Sequence, residues 1–468
     1  MPSIDFGALD YGMIVAYFAA IMIAGLLWLR RNKTSDDYFL AGRTLTIPAF
    51  VATLVATWYG GILGVGEFTY QFGISNWVVF GVPYYIFAAV FAIWLAPRIR
   101  QASLYTIPDK IDEAYGKPAA VIGAAFTYCL TTPAPYVLML GTMLQLIFGW
   151  PIIPAMLAGV VLSTVYVYAG GFQSDVRVNI VQFVLMFAGF ALMLGYCVSS
   201  YGGFEALTQK LPEGHLTWSG GNSAQYIIAW FFIALWTLVD PSFHQRCYAA
   251  KSPEVAKRGV FVSIGFWMIF DFLTCAVGLY ARAAMPGLTE TETVMAYPLL
   301  ADSLLPAGAK GLFFVGLLAT IMSTLVSTMF MSGVTFTRDF VYRLVGGDPD
   351  ERLNLRTIMG LLLTTGIAIA LAVVVPSVVD LWYTVGTVLI PGLLLPLLTA
   401  YWPRFKIGKG AAAAVMLLST GTSLAWLIAG ALNPGEFGPQ YPLGLEPMYP
   451  GLAVSVVGFA FGRILRRG

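Results

Sequence analysis

Thirteen apolar runs constrain this chain more than anything else in it. They lie at about 11–29, 47–66, 77–96, 119–148, 151–169, 180–198, 226–240, 260–280, 311–336, 358–375, 381–401, 411–431 and 449–465. Most are near the roughly 17 to 25 residues that a helix needs to cross a hydrocarbon core. Lipid offers backbone groups no hydrogen bonds, so only helices or closed barrels span it, and continuous runs without period-2 alternation form helices. Composition agrees: 58% of residues are hydrophobic and 11% charged, where a soluble domain carries about a quarter charged residues. The expected fold class is an all-α integral membrane protein with 13 transmembrane helices, in contact with the lipid bilayer.

Charge placement tests that count. With the amino terminus outside, 23 of the 26 basic residues fall on cytoplasmic segments, and only Lys210, Arg282 and Lys310 fall outside. One span missed or invented would destroy this bias, which follows the positive-inside rule. The carboxy terminus is then cytoplasmic, and the location is a cell membrane. The net charge of +2 gives no reason to expect a nucleic-acid partner.

The first run is too long for a signal-peptide core and is kept as a span. Cys129, Cys197, Cys247 and Cys275 show no metal-ligand spacing and are expected to be buried. His215 and His244 are too few for a histidine metal site. With no long linker or low-complexity tract, residues 1–468 read as one membrane domain, and no organic cofactor is expected.

The chemistry sits in three places. The second span carries Gly60, Gly61, Gly64 and Gly66 within seven residues. Glycine lets a helix unwind, and unwound backbone at membrane depth survives only where it lines a cavity or is buried in protein. Close helix packing through small residues is the plainer alternative. The seventh span is the shortest run and ends in Asp240-Pro241. Five spans separate it from the second, so the two cross in opposite directions, as the interrupted first helices of an inverted five-plus-five repeat do.

The ninth span has Thr320, Ser323, Thr324, Ser327, Thr328, Ser332 and Thr335 at spacings of three and four, a hydroxyl stripe on an apolar helix. A lone hydroxyl there usually bonds back to its own helix or joins two helices. A whole stripe, together with free carbonyls, suits a hard monovalent cation. Acidic residues within or beside spans are Glu67, Asp240 and Asp271, candidates by default because a charge at a helix centre costs about 2.5–3.5 kcal/mol. Trp58, Tyr59, Trp230, Phe231, Phe232 and Trp236 suggest an aromatic-lined pocket, with lipid-facing or packing roles as the alternative.

At these residues the chain resembles the sodium:solute symporter family, which includes transporters of proline, pantothenate, sialic acid, sugars and iodide. The matching pieces are Asp37–Arg43, Gln245-Arg246 with Ala249–Ser252, Gly278–Ala283 and Ile321–Thr324, in the family's order. The resemblance implies a LeuT-like fold: a leading helix (11–29), two inverted repeats (47–198 and 226–401) and two C-terminal helices (411–465). It implies import of a small organic solute by symport with Na+ through alternating access, in a protein functional as a monomer.

Carried over by position, the sodium ligands would be the carbonyls of Ala56, Tyr59 and Thr320 and the hydroxyls of Ser323 and Thr324. Trp236 stands at the family's aromatic gate, and Trp58, Gly60, Gly61 and Trp230 are candidate solute contacts. Members using a second sodium have an aspartate where this chain has Asn179 and a serine where it has Val326. One Na+ per cycle is therefore expected. Sugar-transporting members have amides at the positions of Trp58, Leu63 and Ile233, and proline members an aspartate at that of Trp58, which disfavours both solutes. Proton coupling through Glu67 or Asp271, and a transporter-like sensor, are the alternatives. No catalytic motif points to an enzyme.

Overall fold

The structure, a computed structural model, describes residues 4–26, 34–289, 292–346, 353–375, 377–435 and 438–467. The end of the first run (27–29) and the basic residues Arg30, Arg31, Lys33 and Arg352 lie outside them. Among the described residues ten helices are long and apolar enough to cross a membrane. Three shorter apolar helices, Ile47–Ala56, Ile152–Val167 and Met359–Val374, fall on the second, fifth and tenth expected runs. The only strands among the described residues form a hairpin of two residues each, Pro434–Gly435 with Gly438–Pro439.

The helix Ala309–Val345 is the axis of the molecule: 89% of its most apolar window is buried, against 28% for the first helix. Its apolar side chains pack on protein, whereas those of the outer helices face the surface, as expected when lipid is the solvent.

The breaks have local causes. The second run folds as Ile47–Ala56 and Ile62–Phe72, with non-helical backbone between them. The fifth and sixth runs turn at Gly171, whose φ of 58° and ψ of −158° are open to glycine, and where a Cβ would come within 2.4 Å of the Tyr38 carbonyl. The fourth run breaks between Leu130 and Ala134, beside Pro133.

The seventh run differs from expectation. It does not end at Asp240 but continues as the helices Ala224–Ile233, Trp236–Val239 and Pro241–Ala249. Asp240 lies inside the apolar stretch Ala224–Ala249 rather than at its end. Its carboxylate caps the third piece, accepting from the backbone N–H of Ser242 at 2.7 Å and Phe243 at 3.1 Å, with Pro241 at the first helical position.

Segments that the charge pattern places on one side do meet. Arg43 donates to the Leu104 carbonyl, Arg100 to that of Ala250, and Arg338 pairs with Asp109 at 2.8 Å. On the other side Lys310 pairs with Asp302 at 2.6 Å and donates to the Asp5 carbonyl. Two expectations fail. Arg246, counted as a loop charge, is fully buried, and Cys129 is exposed rather than buried.

Candidate functional site

The broken second span and the axial helix meet at the residues the hydroxyl pattern singled out. The Ser323 hydroxyl lies 2.7 Å from the Ala56 carbonyl and 2.8 Å from that of Thr320, so three of the five expected ligands are within hydrogen-bonding distance. The Thr324 hydroxyl is buried and finds no partner among the described residues. It packs on the break itself: a Cβ on Gly60 would come within 2.4 Å of it. Tyr59 is anchored by its phenol, which donates to the Trp267 carbonyl at 2.9 Å.

Ala56, Thr320, Ser323 and Thr324 form a patch of neutral oxygens in which the Thr324 hydroxyl has no partner among the described residues. A buried polar atom without a partner is costly unless something satisfies it. Sodium fits the donor set, which contains no sulfur and no imidazole. The rest of the stripe divides its labour. Thr320 and Thr328 donate back to the carbonyls of Gly316 and Thr324, the ordinary behaviour of such hydroxyls. Ser332 crosses to the Thr131 carbonyl at 2.7 Å.

One turn beyond Thr324 lies a cluster that the sequence did not disclose. Ser327 donates to Asp175 at 2.7 Å and accepts from Arg246 at 3.0 Å, and the Arg246 and Asp175 side chains are 3.6 Å apart. Both are fully buried. Arg246 and Asn179 also donate to the Thr53 hydroxyl, at 3.2 and 3.0 Å. The pair thus fastens the Ile47–Ala56 helix, the Gly170–Tyr201 helix and the Pro241–Ala249 helix to the axial helix beneath the oxygen patch.

Beside the patch is a cavity of about 130 Å³. It is walled by the break of the second span (Trp58, Tyr59, Gly61), the seventh (Trp230, Trp236, Asp240) and the hydroxyls of Thr324, Ser327 and Thr328. Of the expected solute contacts, Trp58, Gly61, Trp230 and Trp236 line it, and Gly60 instead backs Thr324. Gly61 admits Trp382, whose ring tip lies 1.6 Å from where a Cβ would stand.

Asp271 lines the cavity and accepts a hydrogen bond from the Tyr85 phenol, whereas Glu67 and the aromatics Phe231 and Phe232 do not line it. Sequence reasoning missed Phe80, Tyr84, Tyr136 and Trp382 on the wall. An aromatic on an apolar run looks the same whether it meets lipid or a cavity.

Comparison with known proteins places this architecture. A sodium/glucose cotransporter of Vibrio parahaemolyticus is 26% identical over 387 residues, covering 72% of this chain and 70% of that protein. The sodium/pantothenate symporter of Escherichia coli is 24% identical over 479 residues, covering 96% and 95%. Among solved structures, a substrate-bound, outward-open Na+-coupled sialic acid symporter superposes with a TM-score of 0.81 at 17% identity, covering 98% of this chain and 97% of the other. The fold is therefore the LeuT-like one. The model of the sodium:solute symporter family matches residues 38–417, and the chain belongs to that family as a sodium-coupled transporter.

Proposed function

We propose that this protein imports a small organic solute with one Na+ per cycle, the ion held by the carbonyls of Ala56, Tyr59 and Thr320 and the hydroxyls of Ser323 and Thr324. The observation that carries the reading is the orphaned, buried Thr324 hydroxyl beside a Ser323 hydroxyl that already bridges the second span to the axial helix. Sodium arriving there replaces weak hydrogen bonds with ion–dipole contacts to both elements. It thereby holds the break of the second span in the geometry that shapes the adjacent cavity.

Coupling follows from that adjacency. Thr324 and Tyr59, both proposed sodium ligands, also line the cavity, so ion and solute each favour the same backbone geometry, and each raises the other's affinity by the same factor. The membrane potential adds about 2.3 kcal/mol per charge per 100 mV toward the negative side. Rocking of one helix group against the other then exposes the pair to the cytoplasm. Trp236, on the short helix Trp236–Val239 between two breaks, serves as the gate over the solute. Basic residues on linked segments, Arg43, Arg100, Arg338 and Lys406 among them, support an inner face with the carboxy terminus on it.

A single ion is favoured because the position where a second would need an aspartate holds Asn179, which donates to Thr53. The neighbouring acid, Asp175, is already taken by Arg246. The test is uptake into proteoliposomes from a mixture of labelled amines, amino acids, carboxylates and sugars at fixed pH. Accumulation under an inward Na+ gradient, and none under an equal K+ gradient, is expected. Accumulation driven equally by a proton gradient without sodium would overturn the coupling.

A further inference from the structure

Two carboxyl groups line the cavity, and no basic side chain in its wall would balance them when they are ionised. Asp271 is buried in the middle of the helix Pro253–Ala284, and its Oδ2 accepts from the Tyr85 phenol. Asp240 is the second carboxylate on the wall, and no Lys, Arg or His lines it. Among the described residues neither acid forms an ion pair. The nearby Arg246 is already matched by Asp175. The proposed sodium ligands are neutral, so with both acids ionised the ion neutralises one of the two carboxylates and leaves one. A monovalent cation brings the site to zero, a neutral solute leaves the remaining carboxylate buried without a counter-charge, and an anion doubles the deficit. Burying unmatched charge is unfavourable in proportion to its desolvation.

The rest of the wall suits a cation for a second, independent reason. Trp58, Trp230, Trp236 and Trp382 line it together with Tyr84 and Tyr136. Tryptophan faces attract ammonium groups most strongly, and the attraction grows when water is excluded. The Trp58 ring is fixed by neighbours, with centroids 5.1 Å from Tyr84 and 5.4 Å from Trp267, so the box is pre-formed. Among the described residues no asparagine or glutamine side chain lines the cavity.

We propose that the transported solute bears a cationic nitrogen, a small amine or quaternary ammonium compound, seated among these indole rings with Asp271 as its counter-ion. The proposal rests on the reading of the cavity as the solute site of a sodium symporter, and its test separates the two. Purified full-length protein is titrated with choline and with its uncharged carbon isostere, 3,3-dimethylbutan-1-ol, with glucose and acetate alongside. Thermal stability is followed in NaCl and in KCl of equal strength.

Choline is expected to stabilise saturably at a concentration at least about tenfold lower than the isostere. Asp271→Asn should abolish that preference and Asp271→Glu should partly restore it. The comparison within the wild-type protein needs no variant to fold. An isostere, glucose or acetate that stabilises as well as choline overturns the cation proposal, and so does no shift with choline, tetramethylammonium or ethanolamine. Stabilisation by choline that is equal in sodium and potassium upholds the proposal and instead refutes the sodium site. Stabilisation by glucose or acetate only in sodium does the reverse.

Discussion

Replacing Asp175 with asparagine strands a guanidinium in the centre of the protein. Arg246 and Asp175 are 3.6 Å apart and their side chains are 0% and 1% exposed. At an effective dielectric constant of about 20, two unit charges at that separation attract by about 4–5 kcal/mol. The asparagine carboxamide can still accept from Ser327, so the loss is mainly electrostatic. Removing one partner of a buried pair costs about 3–5 kcal/mol because the other charge stays buried. Asp175→Asn is therefore expected to destabilise the protein by about that much. The double variant Asp175→Asn, Arg246→Gln, with no charge left, should recover at least about 2 kcal/mol of the loss. Reversible unfolding in mixed detergent–SDS micelles measures each corner of this cycle. A single variant within about 1 kcal/mol of wild type, or a double variant as unstable as the sum of its parts, would show that the pair is not coupled.

Further outcomes follow from the same geometry. Gly60→Ala puts a Cβ 2.3 Å from that of Thr324 and should displace its hydroxyl. The loss of one charge-assisted contact, about 1.5–3 kcal/mol, should raise the half-saturating sodium concentration at least about tenfold; an unchanged value would remove Thr324 from the cage. Trp236→Ala should shorten solute retention while leaving sodium-induced stabilisation intact, and an unaltered solute off-rate would rule out the gate. His215, on the connection between the helices Gly170–Tyr201 and Ala224–Ala249, is buried, which together with the Arg282 charge holds its pKa below the ordinary value against the hydrogen bond to the Tyr70 carbonyl. A depressed histidine pKa stabilises while the ring is neutral. The contribution is full above about pH 6.5 and is lost as pH falls below it. The Ile74 amide, which donates to the His215 carbonyl at 2.8 Å, should then lose exchange protection in wild type but not in His215→Gln; protection flat with pH would contradict this.

What was legible in the sequence was whatever leaves a periodic or compositional mark. Lipid demands length and apolarity, so the spans showed as runs, and the glycine cluster at 60–66 announced the break of the second span. The three- and four-residue spacings that link Ser323 and Thr324 to Thr320, Ser327 and Thr328 put them in one stripe along the axial helix. Partners across helices left no such mark. Asp175 falls between two apolar runs and reads as a loop residue, yet the Gly170–Tyr201 helix extends over it and carries it to Arg246. Arg246 itself, just past Asp240-Pro241, looked like a cytoplasmic charge. Asp240 looked like a span end because a carboxylate beside proline fits an interface and a helix cap equally well in one dimension. Trp382 and Tyr136 look like lipid-facing residues until Gly61 and the fourth-span break make room for them.

Equilibrium binding of radioactive sodium to the purified protein addresses the central claim without knowledge of the solute. Saturation at one ion per chain is expected, displaced by unlabelled sodium but not potassium, and lost in Ser323→Ala, Thr324→Ala protein that remains folded. Two ions per chain, or binding undiminished in that double variant, would contradict the account.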